Sequence, residues 1–325
     1  MPASHDFDAQ ILEKLQQLQE KYAAMGQDLN AYLDGLLHAD YLTYWDYIQL
    51  DTLLSLQNPI TPFPDEQIFI MYHQITELYF KLSLHELQQL ADEAPLTAAP
   101  FHERIRRVNR YFDALTHSFD IMVDGMDPQQ FLKFRMSLLP ASGFQSAQYR
   151  MIEIRCTTFD RLLHADHREA HAPHSPGDLE ELFEHMYWKA GAVELASGDK
   201  TLTLKQFEKK YAGALLELAE NSFGVNARAL WQELPAEEQT DELREQLRWL
   251  DINVNINWPL SHYKSAVRYL QRDPEDIAAT GGTNWQKYLP PRFQKRIFFP
   301  ELWSEQELAE WGKGWVKKEV FGLQG

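Results

Sequence analysis

Apolar residues recur at helical spacing along nearly the whole chain, and this periodicity restricts the fold more than any other feature. Near the N-terminus, for example, Phe7, Ile11 and Leu15 lie four residues apart and therefore share one face of a helix. Runs with the strict alternation of a half-buried strand are scarce. The sequence therefore predicts an all-α protein built as a helical bundle.

The segment from Pro64 to about Leu90 predicts the central helix of that bundle. Pro64 supplies an N-terminal proline, and two acidic residues follow it in the first turn. Apolar residues cover almost every side of this helix, so we expect it to be buried at the centre of the bundle. His73 and Glu77 are then expected in the core.

Two further helix starts are visible in the sequence. Asp127 followed by Pro128 predicts the cap of a helix that carries Arg135. Ser304 with Glu307 has the spacing of a capping box, which predicts a last helix near the C-terminus.

The remaining pattern indicates one domain over residues 1–325. A polar stretch rich in histidine and proline, His164 to Pro176, and breaks at Gly198 and Pro235 predict an excursion of short helices over residues 157–237. Residues 1–60 form N-terminal helices in this interpretation. Tyr41 to Leu56 is aromatic on several faces, so we expect contact with a neighbouring subunit, although burial within the chain's own core explains this segment equally well.

Charge and cysteine content exclude several classes of partner. The net charge is −17 and no basic cluster is longer than Lys317-Lys318, which argues against nucleic acid or an anionic membrane. Cys156 is the only cysteine, which fits a reducing compartment. The sequence has neither a secretory signal at its N-terminus nor an apolar run long enough to span a membrane. We therefore expect a cytoplasmic protein.

Arg135 is the first candidate for a functional residue. It follows Phe131 in an apolar segment that breaks into the small-residue loop Pro140 to Gly143. A buried guanidinium requires an anionic partner, and small residues let a ligand approach the backbone closely. An internal salt bridge explains the same arginine, and this segment alone does not separate the two possibilities.

Two histidines are the next candidates. His73 shares a helix face with Phe69 and Phe80, because residues three and four apart are neighbours on a helix. His262 opens a helix four residues after Trp258. Either histidine alone is more typical of a structural core residue than of a ligand.

Two other patterns are weaker signals for a site. The turn Thr280-Gly281-Gly282 has the flexibility of a small anion-binding nest. The histidines between His164 and His174 have near-helical spacing, but prolines interrupt that segment, so we interpret it as a solvated surface rather than a metal site.

Taken together, these motifs resemble the tryptophan 2,3-dioxygenase family over most of the chain from Tyr41 to Trp303. The resemblance is carried by YWDYI at 44–48, DEQIFIMYHQ at 65–74, FR at 134–135, PASGFQS at 140–146, QYR at 148–150, the tryptophan-to-histidine spacing at 258–262 and TGG at 280–282. The segment at 134–150 is the most distinctive of these.

The resemblance implies a helical bundle that encloses a haem pocket, with b-type haem bound to His262 as the proximal iron ligand. It implies insertion of both atoms of O₂ into the indole C2–C3 bond of L-tryptophan to give N-formylkynurenine. Residues implied near the reacting atoms are His73, Ser142 and Gly143, the last two also lining the haem. Implied substrate-binding residues are Phe69, His73, Phe131, Arg135 and Thr280, with Tyr44, Tyr47 and Ile48 from a neighbouring subunit of a homotetramer.

One region departs from the family pattern. The interval between His262 and Thr280 is longer than usual, Ala279 replaces a glycine, and Thr283-Asn284-Trp285 replaces the usual residues after the double glycine. Because this loop is implied to close over the substrate, residues 270–285 leave substrate preference open. A haem oxygenase or hydroxylase of the same superfamily acting on a modified indole or another aromatic amino acid is the alternative, and a haem-based sensor is a third.

Overall fold

The computed structural model describes residues 8–138, 143–168, 176–193, 199–270 and 294–312. Within these ranges the regular elements are helices, and β structure is limited to two isolated bridges, Leu163 with Met186 and Val193 with Lys200. The all-α prediction is confirmed. No described helix is long and apolar enough to cross a membrane.

The chain divides into two compact units, Met1–Leu56 and Gln57–Gly325. The first contains α1 (Ala9–Ala24), α2 (Leu29–Leu37), α3 (Tyr44–Tyr47) and α4 (Leu50–Leu54). None of these helices has a buried residue, and Tyr44 and Tyr47 are 70% and 76% exposed. Burial of these two tyrosines within the chain's own core is therefore wrong, whereas their contact with a neighbouring subunit stays a prediction.

The second unit holds the remaining described helices. They are α5 (Asp65–Asp92), α6 (Ala98–Ser118), α7 (Asp120–Val123), α8 (Pro128–Phe134), α9 (Ala147–Cys156), α10 (Ala165–Arg168), α11 (Leu179–Glu184), α12 (Tyr187–Ala190), α13 (Leu202–Asn221), α14 (Ala227–Glu233), α15 (Asp241–Ile252), α16 (Trp258–Leu270) and α17 (Glu305–Ala309). A π-helical turn, Asn253–Asn257, joins α15 to α16. Helix α5 packs against α6, α8 and α9, while α6 also packs against α15.

Helix α5 is the long helix predicted after Pro64, but it is buried on one face only. Tyr72, Thr76 and Phe80 lie on the buried face. The opposite face carries exposed apolar residues: Met71, Ile75, Leu78 and Leu82. The expectation of burial on all sides is therefore wrong for the single chain, because apolar residues cover both faces but only one packs on the core.

The predicted helix caps are confirmed, with one correction at Arg135. The Asp127 side chain accepts a hydrogen bond from the backbone N–H of Gln129 at the start of α8. Ser304 and Glu307 form the predicted capping box. Helix α8 ends at Phe134, however, so Arg135 begins a 3₁₀ turn, Arg135–Leu138, instead of lying inside the helix.

Residues 157–237 contain one element longer than the sequence predicted. Helix α13 has 20 residues, while α10, α11, α12 and α14 are short. The assignment of this region as an excursion from a single domain stays a prediction.

Candidate functional site

The first histidine of the site, His73, lies on α5 one turn after Phe69. Its Nδ1 is 2.8 Å from the Phe69 carbonyl oxygen. Because a carbonyl oxygen only accepts, Nδ1 carries a proton and donates it. Burial lowers the pKa of His73 below 6.5, although the Phe69 hydrogen bond and the nearby Glu77 charge raise it. The ring is therefore neutral at neutral pH, and its Nε2 lone pair is an acceptor.

The second histidine, His262, lies on α16 one turn after Trp258. The prediction that His262 opens a helix is therefore wrong, because the π turn and Trp258 already continue the helix before it. The centroid of its ring is 5.5 Å from that of Phe119 and 6.3 Å from that of Trp258. Burial, and then the proximity of His73, lowers the pKa of His262 to about 4. His262 is thus also neutral at neutral pH, with a lone pair free of a proton.

Aromatic rings connect the two histidines. Phe119 contacts His262 and also Tyr72, the residue before His73, with a Tyr72–Phe119 centroid distance of 5.6 Å. Phe69 packs on the His73 ring at 4.1 Å. The two imidazoles, from helices far apart in sequence, therefore belong to one aromatic-walled site.

The side chains of His73 and His262 are only partly buried, so each keeps some solvent-accessible surface. Burial nevertheless lowers the pKa of each. A side chain in the open solvent would not show such a shift, so the aromatic surroundings shield both rings from water. His73 and His262 thus have the surroundings of groups that face a bound ligand.

Helix α8 supplies a further wall of this site. Phe131 lies 6.2 Å from Phe69, and Phe134 lies 5.8 Å from Phe69, between ring centroids. Phe131 also contacts Tyr269 of α16 at 4.7 Å. Because Phe131 touches residues of both α5 and α16, it lies where the helices of the two histidines meet α8.

Arg135 follows Phe131 by four residues, the spacing of one helical turn. It is partly buried, and burial lowers the pKa of its guanidinium. Even lowered, an arginine pKa leaves the side chain charged at neutral pH. The site therefore has a half-buried cation next to its aromatic wall.

The side chains of this site fit a metal ion that a cofactor binds through most of its ligands and that needs one ligand from the protein. Among the described residues no group of three histidine, cysteine, aspartate or glutamate side chains could hold a metal ion. Neutral His262 can donate one lone pair to iron, and the surrounding rings suit the flat apolar surface of a porphyrin. One neutral imidazole among aromatic rings is therefore a set of residues that fits haem.

The other residues singled out in the sequence fall into three groups. Ser142 and Thr280 lie outside the described residues, as do the departures from the family pattern at Ala279 and 283–285. Gly143 begins a 3₁₀ turn, Gly143–Gln145. Tyr44, Tyr47 and the partly buried Ile48 belong to the first unit.

Sequence reasoning missed three residues around the site. Phe119 and Phe134 contact the rings described above, and Gln148 donates from Nε2 to the Glu77 carboxylate at 2.7 Å and to the Glu77 carbonyl at 2.9 Å. Phe134 could have been inferred from its spacing of three after Phe131. Phe119 has no local signal, because its partners are far away in sequence. Gln148 lies in the family motif at 148–150, but that motif did not indicate its partner, Glu77.

Comparison with known proteins gives a consistent result. A family model described as tryptophan 2,3-dioxygenase matches residues 35–168. Tryptophan 2,3-dioxygenase of Pseudomonas fluorescens is 30% identical over 272 residues, covering 82% of this chain and 90% of that protein. The enzyme of the same name from Bacillus thuringiensis is 29% identical over 282 residues, with 82% and 94% covered. That from Pseudomonas aeruginosa is 30% identical over 280 residues, with 84% and 91% covered.

Proposed function

Because the chain belongs to the tryptophan 2,3-dioxygenase family, we propose that it inserts both atoms of O₂ across the indole C2–C3 bond of L-tryptophan and releases N-formylkynurenine. One observation supports the proposal: two neutral histidines from different helices belong to one aromatic-walled site. One imidazole suits an iron ligand, and the other suits an acceptor for the indole N–H.

In this proposal His262 binds the iron of b-type haem. Its lowered pKa supports the role, because no proton competes with the metal for the ring nitrogen at neutral pH. The bound haem supplies activation of O₂, which the protein's own side chains cannot provide. The Phe119 and Trp258 rings lie beside the His262 ring, with centroids 5.5 Å and 6.3 Å away, and keep its surroundings apolar.

His73 orients the substrate by accepting its indole N–H at Nε2. Nδ1 donates to the Phe69 carbonyl, which fixes both the tautomer and the ring's orientation. The lowered pKa makes His73 a weak base, and an indole N–H is a very weak acid. His73 therefore holds this proton in a hydrogen bond and does not remove it.

Arg135 binds the substrate carboxylate, and Phe69 and Phe131 wall the indole. A guanidinium and a carboxylate make two parallel hydrogen bonds, which fix direction as well as position. The rings would exclude water from the face of the indole and restrict its motion, so the reacting carbons would stay in one orientation. We further propose that Thr280 holds the amino-acid end and that Ser142 and the Gly143 backbone line the distal side.

The proposal includes a homotetramer in which Tyr44, Tyr47 and Ile48 complete the pocket of a neighbouring subunit. Exposure of Tyr44 and Tyr47 supports it, since large aromatic side chains at 70% and 76% exposure gain free energy by association. The apolar stripe on α5 is a second surface that a partner could cover. A cytoplasmic location rests on the single cysteine alone.

The test loads the purified protein with haem, reduces it without oxygen, and then adds L-tryptophan and O₂. N-formylkynurenine, identified by absorbance and mass, is the expected product. His262→Ala should lose haem, while His73→Ala should keep it because His73 is on the substrate side. Absence of product from haem-loaded wild type would refute the activity, and equal haem content in wild type and His262→Ala would refute the ligand.

A further inference from the structure

Helix α15, the π turn and α16 form one continuous helical path that ends in the candidate site. The backbone N–H of Trp258 donates to the carbonyl of Asn253, five residues earlier, which is the defining bond of a π turn. Single π turns inside α-helices hold one extra residue and are frequent at functional sites. This turn lies directly before the segment that carries His262.

The extra residue changes the direction in which His262 points. Leu243, on the buried face of α15, precedes His262 by 19 positions. At about 100° per residue, an unbroken α-helix would rotate His262 roughly 100° away from the direction of Leu243. When the π turn absorbs one residue, the rotation falls to roughly zero. The turn therefore returns His262 to the core-facing side of the helix.

A hydroxyl from another helix bonds to the backbone of the π turn. Tyr149 of α9 donates to the carbonyl of Val254 at 2.7 Å, and both residues are buried. Burial raises the pKa of Tyr149 to about 12, so the hydroxyl keeps the proton that it donates. A π turn leaves the regular backbone pairing of a helix disturbed, and a buried carbonyl there needs an external donor.

Asparagine side chains brace the same turn. Asn255 donates to the Asp251 carboxylate at 2.8 Å, Asn257 donates to Asn253 at 2.9 Å, and Asn253 donates to Asp113 of α6 at 3.1 Å. These bonds tie the turn to its own helix and to α6. Such a network stabilises the π turn relative to a regular α-helical turn.

We propose that the π turn Asn253–Asn257 sets the direction of the His262 imidazole and that Tyr149 is a positioning residue for this histidine. The inference rests on the proposed function in one respect, the binding of haem iron by His262. Tyr149 touches neither the iron ligand nor the substrate in this account. It acts through the Val254 carbonyl and the helix that follows.

The first test compares Tyr149→Phe with Ser83→Ala. Ser83 is a matched control, because its buried hydroxyl also donates to a backbone carbonyl, that of Tyr79 at 3.0 Å, within α5 rather than at the π turn. We expect Tyr149→Phe to weaken haem binding about three- to tenfold, the effect of one lost hydrogen bond. It should also shift the iron–histidine stretching band in the resonance Raman spectrum of the ferrous protein. Ser83→Ala should change neither.

The second test changes the residue count of the turn. Deletion of Asn257, whose side chain is only partly buried, should give a regular α turn that keeps His262 facing the core and retains haem. An alanine inserted between Asn257 and Trp258 should rotate His262 by roughly 100° and abolish haem binding. A folded deletion variant without haem, or an insertion variant with it, would overturn the rotation argument.

The outcomes separate this inference from the proposed function. Wild type that binds no haem through His262 would refute the proposed function. Wild type that binds haem, with an unchanged affinity and an unchanged stretching band in Tyr149→Phe, would refute the positioning role alone. If the deletion variant fails to fold, the Tyr149→Phe comparison still decides.

Discussion

Removal of the His73 side chain should reduce catalysis without abolishing it. The Nδ1 proton is committed to the Phe69 carbonyl, so Nε2 is the acceptor available to the indole N–H. His73→Ala removes that acceptor while leaving haem and the substrate's carboxylate contact in place. The fold should persist, because the His73 ring is only partly buried and the Phe69 carbonyl keeps its place in the backbone of α5.

The size of the effect follows from one lost hydrogen bond inside the site. Such a loss costs about 1–3 kcal/mol, which corresponds to a fall of roughly five- to 150-fold in kcat/KM. Methylation of the indole nitrogen removes the donor from the other side. In the wild type, the methyl group also crowds the His73 Nε2 and leaves it without a hydrogen-bond donor. The loss from methylation and the loss from His73→Ala should therefore not be additive.

The assay measures kcat/KM for tryptophan and 1-methyltryptophan with wild type and His73→Ala. Methylation should reduce the wild-type value more than the value of the variant. A variant that keeps full activity, or equal losses on methylation in both proteins, would refute the role of His73 as the acceptor. Haem content of the two proteins, measured in parallel, serves as the control.

The pH dependence provides a separate check on the same residue. Protonated His73 has N–H groups at both nitrogens and cannot accept from the indole. Because burial lowers its pKa below 6.5, wild-type kcat/KM should be constant near neutral pH and fall only as pH drops through that lowered pKa. His73→Ala should lack this fall. A wild-type decline centred above pH 6.5 would contradict the prediction.

Three further outcomes are expected. Arg135→Lys should lower kcat/KM for tryptophan by about ten- to 100-fold, because lysine cannot make the bidentate contact with the carboxylate. Activity with tryptamine, which has no carboxylate, should change little. Unfolding of the variant would instead indicate that Arg135 forms a structural salt bridge. Asp251→Ala should reduce the free energy of unfolding, measured in urea, by more than about 2 kcal/mol. The reason is that four buried donors lose their acceptor, those of Phe298, Phe299, Trp303 and Asn255. Asp92→Ala, at an exposed position, is the control and should change that free energy by less than about 0.5 kcal/mol. Mixing inactive Arg135→Ala subunits with Tyr47→Ala subunits should restore some activity if pockets are shared, and full activity of an isolated monomer would exclude sharing.

Local signals in the sequence predicted the start of several helices. Proline at Pro64, the Asp127 cap and the Ser304–Glu307 box act within a few residues of their own positions, so the sequence pattern alone is sufficient. The apolar residues on all sides of α5 predicted a central helix. They did not predict which face of that helix is exposed to solvent in the single chain. That distinction depends on how many neighbours pack against it.

The arrangement of the site depends on contacts between distant segments, which periodicity does not reveal. The Phe119–His262 contact joins α16 to the end of α6, and the Tyr149–Val254 bond joins α9 to the π turn. Pro259, just after the π turn, predicts an irregularity in the helix because it has no N–H to donate, but it does not predict a π turn in particular. The histidines were identifiable as candidates from the family motifs, whereas their shared site required the folded chain.

Labelled oxygen gives the most direct test of the proposed reaction. Haem-loaded protein in the ferrous state should be given L-tryptophan and isotopically labelled O₂, and the product mass measured before oxygen can exchange with water. We expect a ring-opened N-formylkynurenine that carries two labelled atoms. A main product with one labelled atom and an unopened indole would contradict this expectation and indicate a hydroxylase.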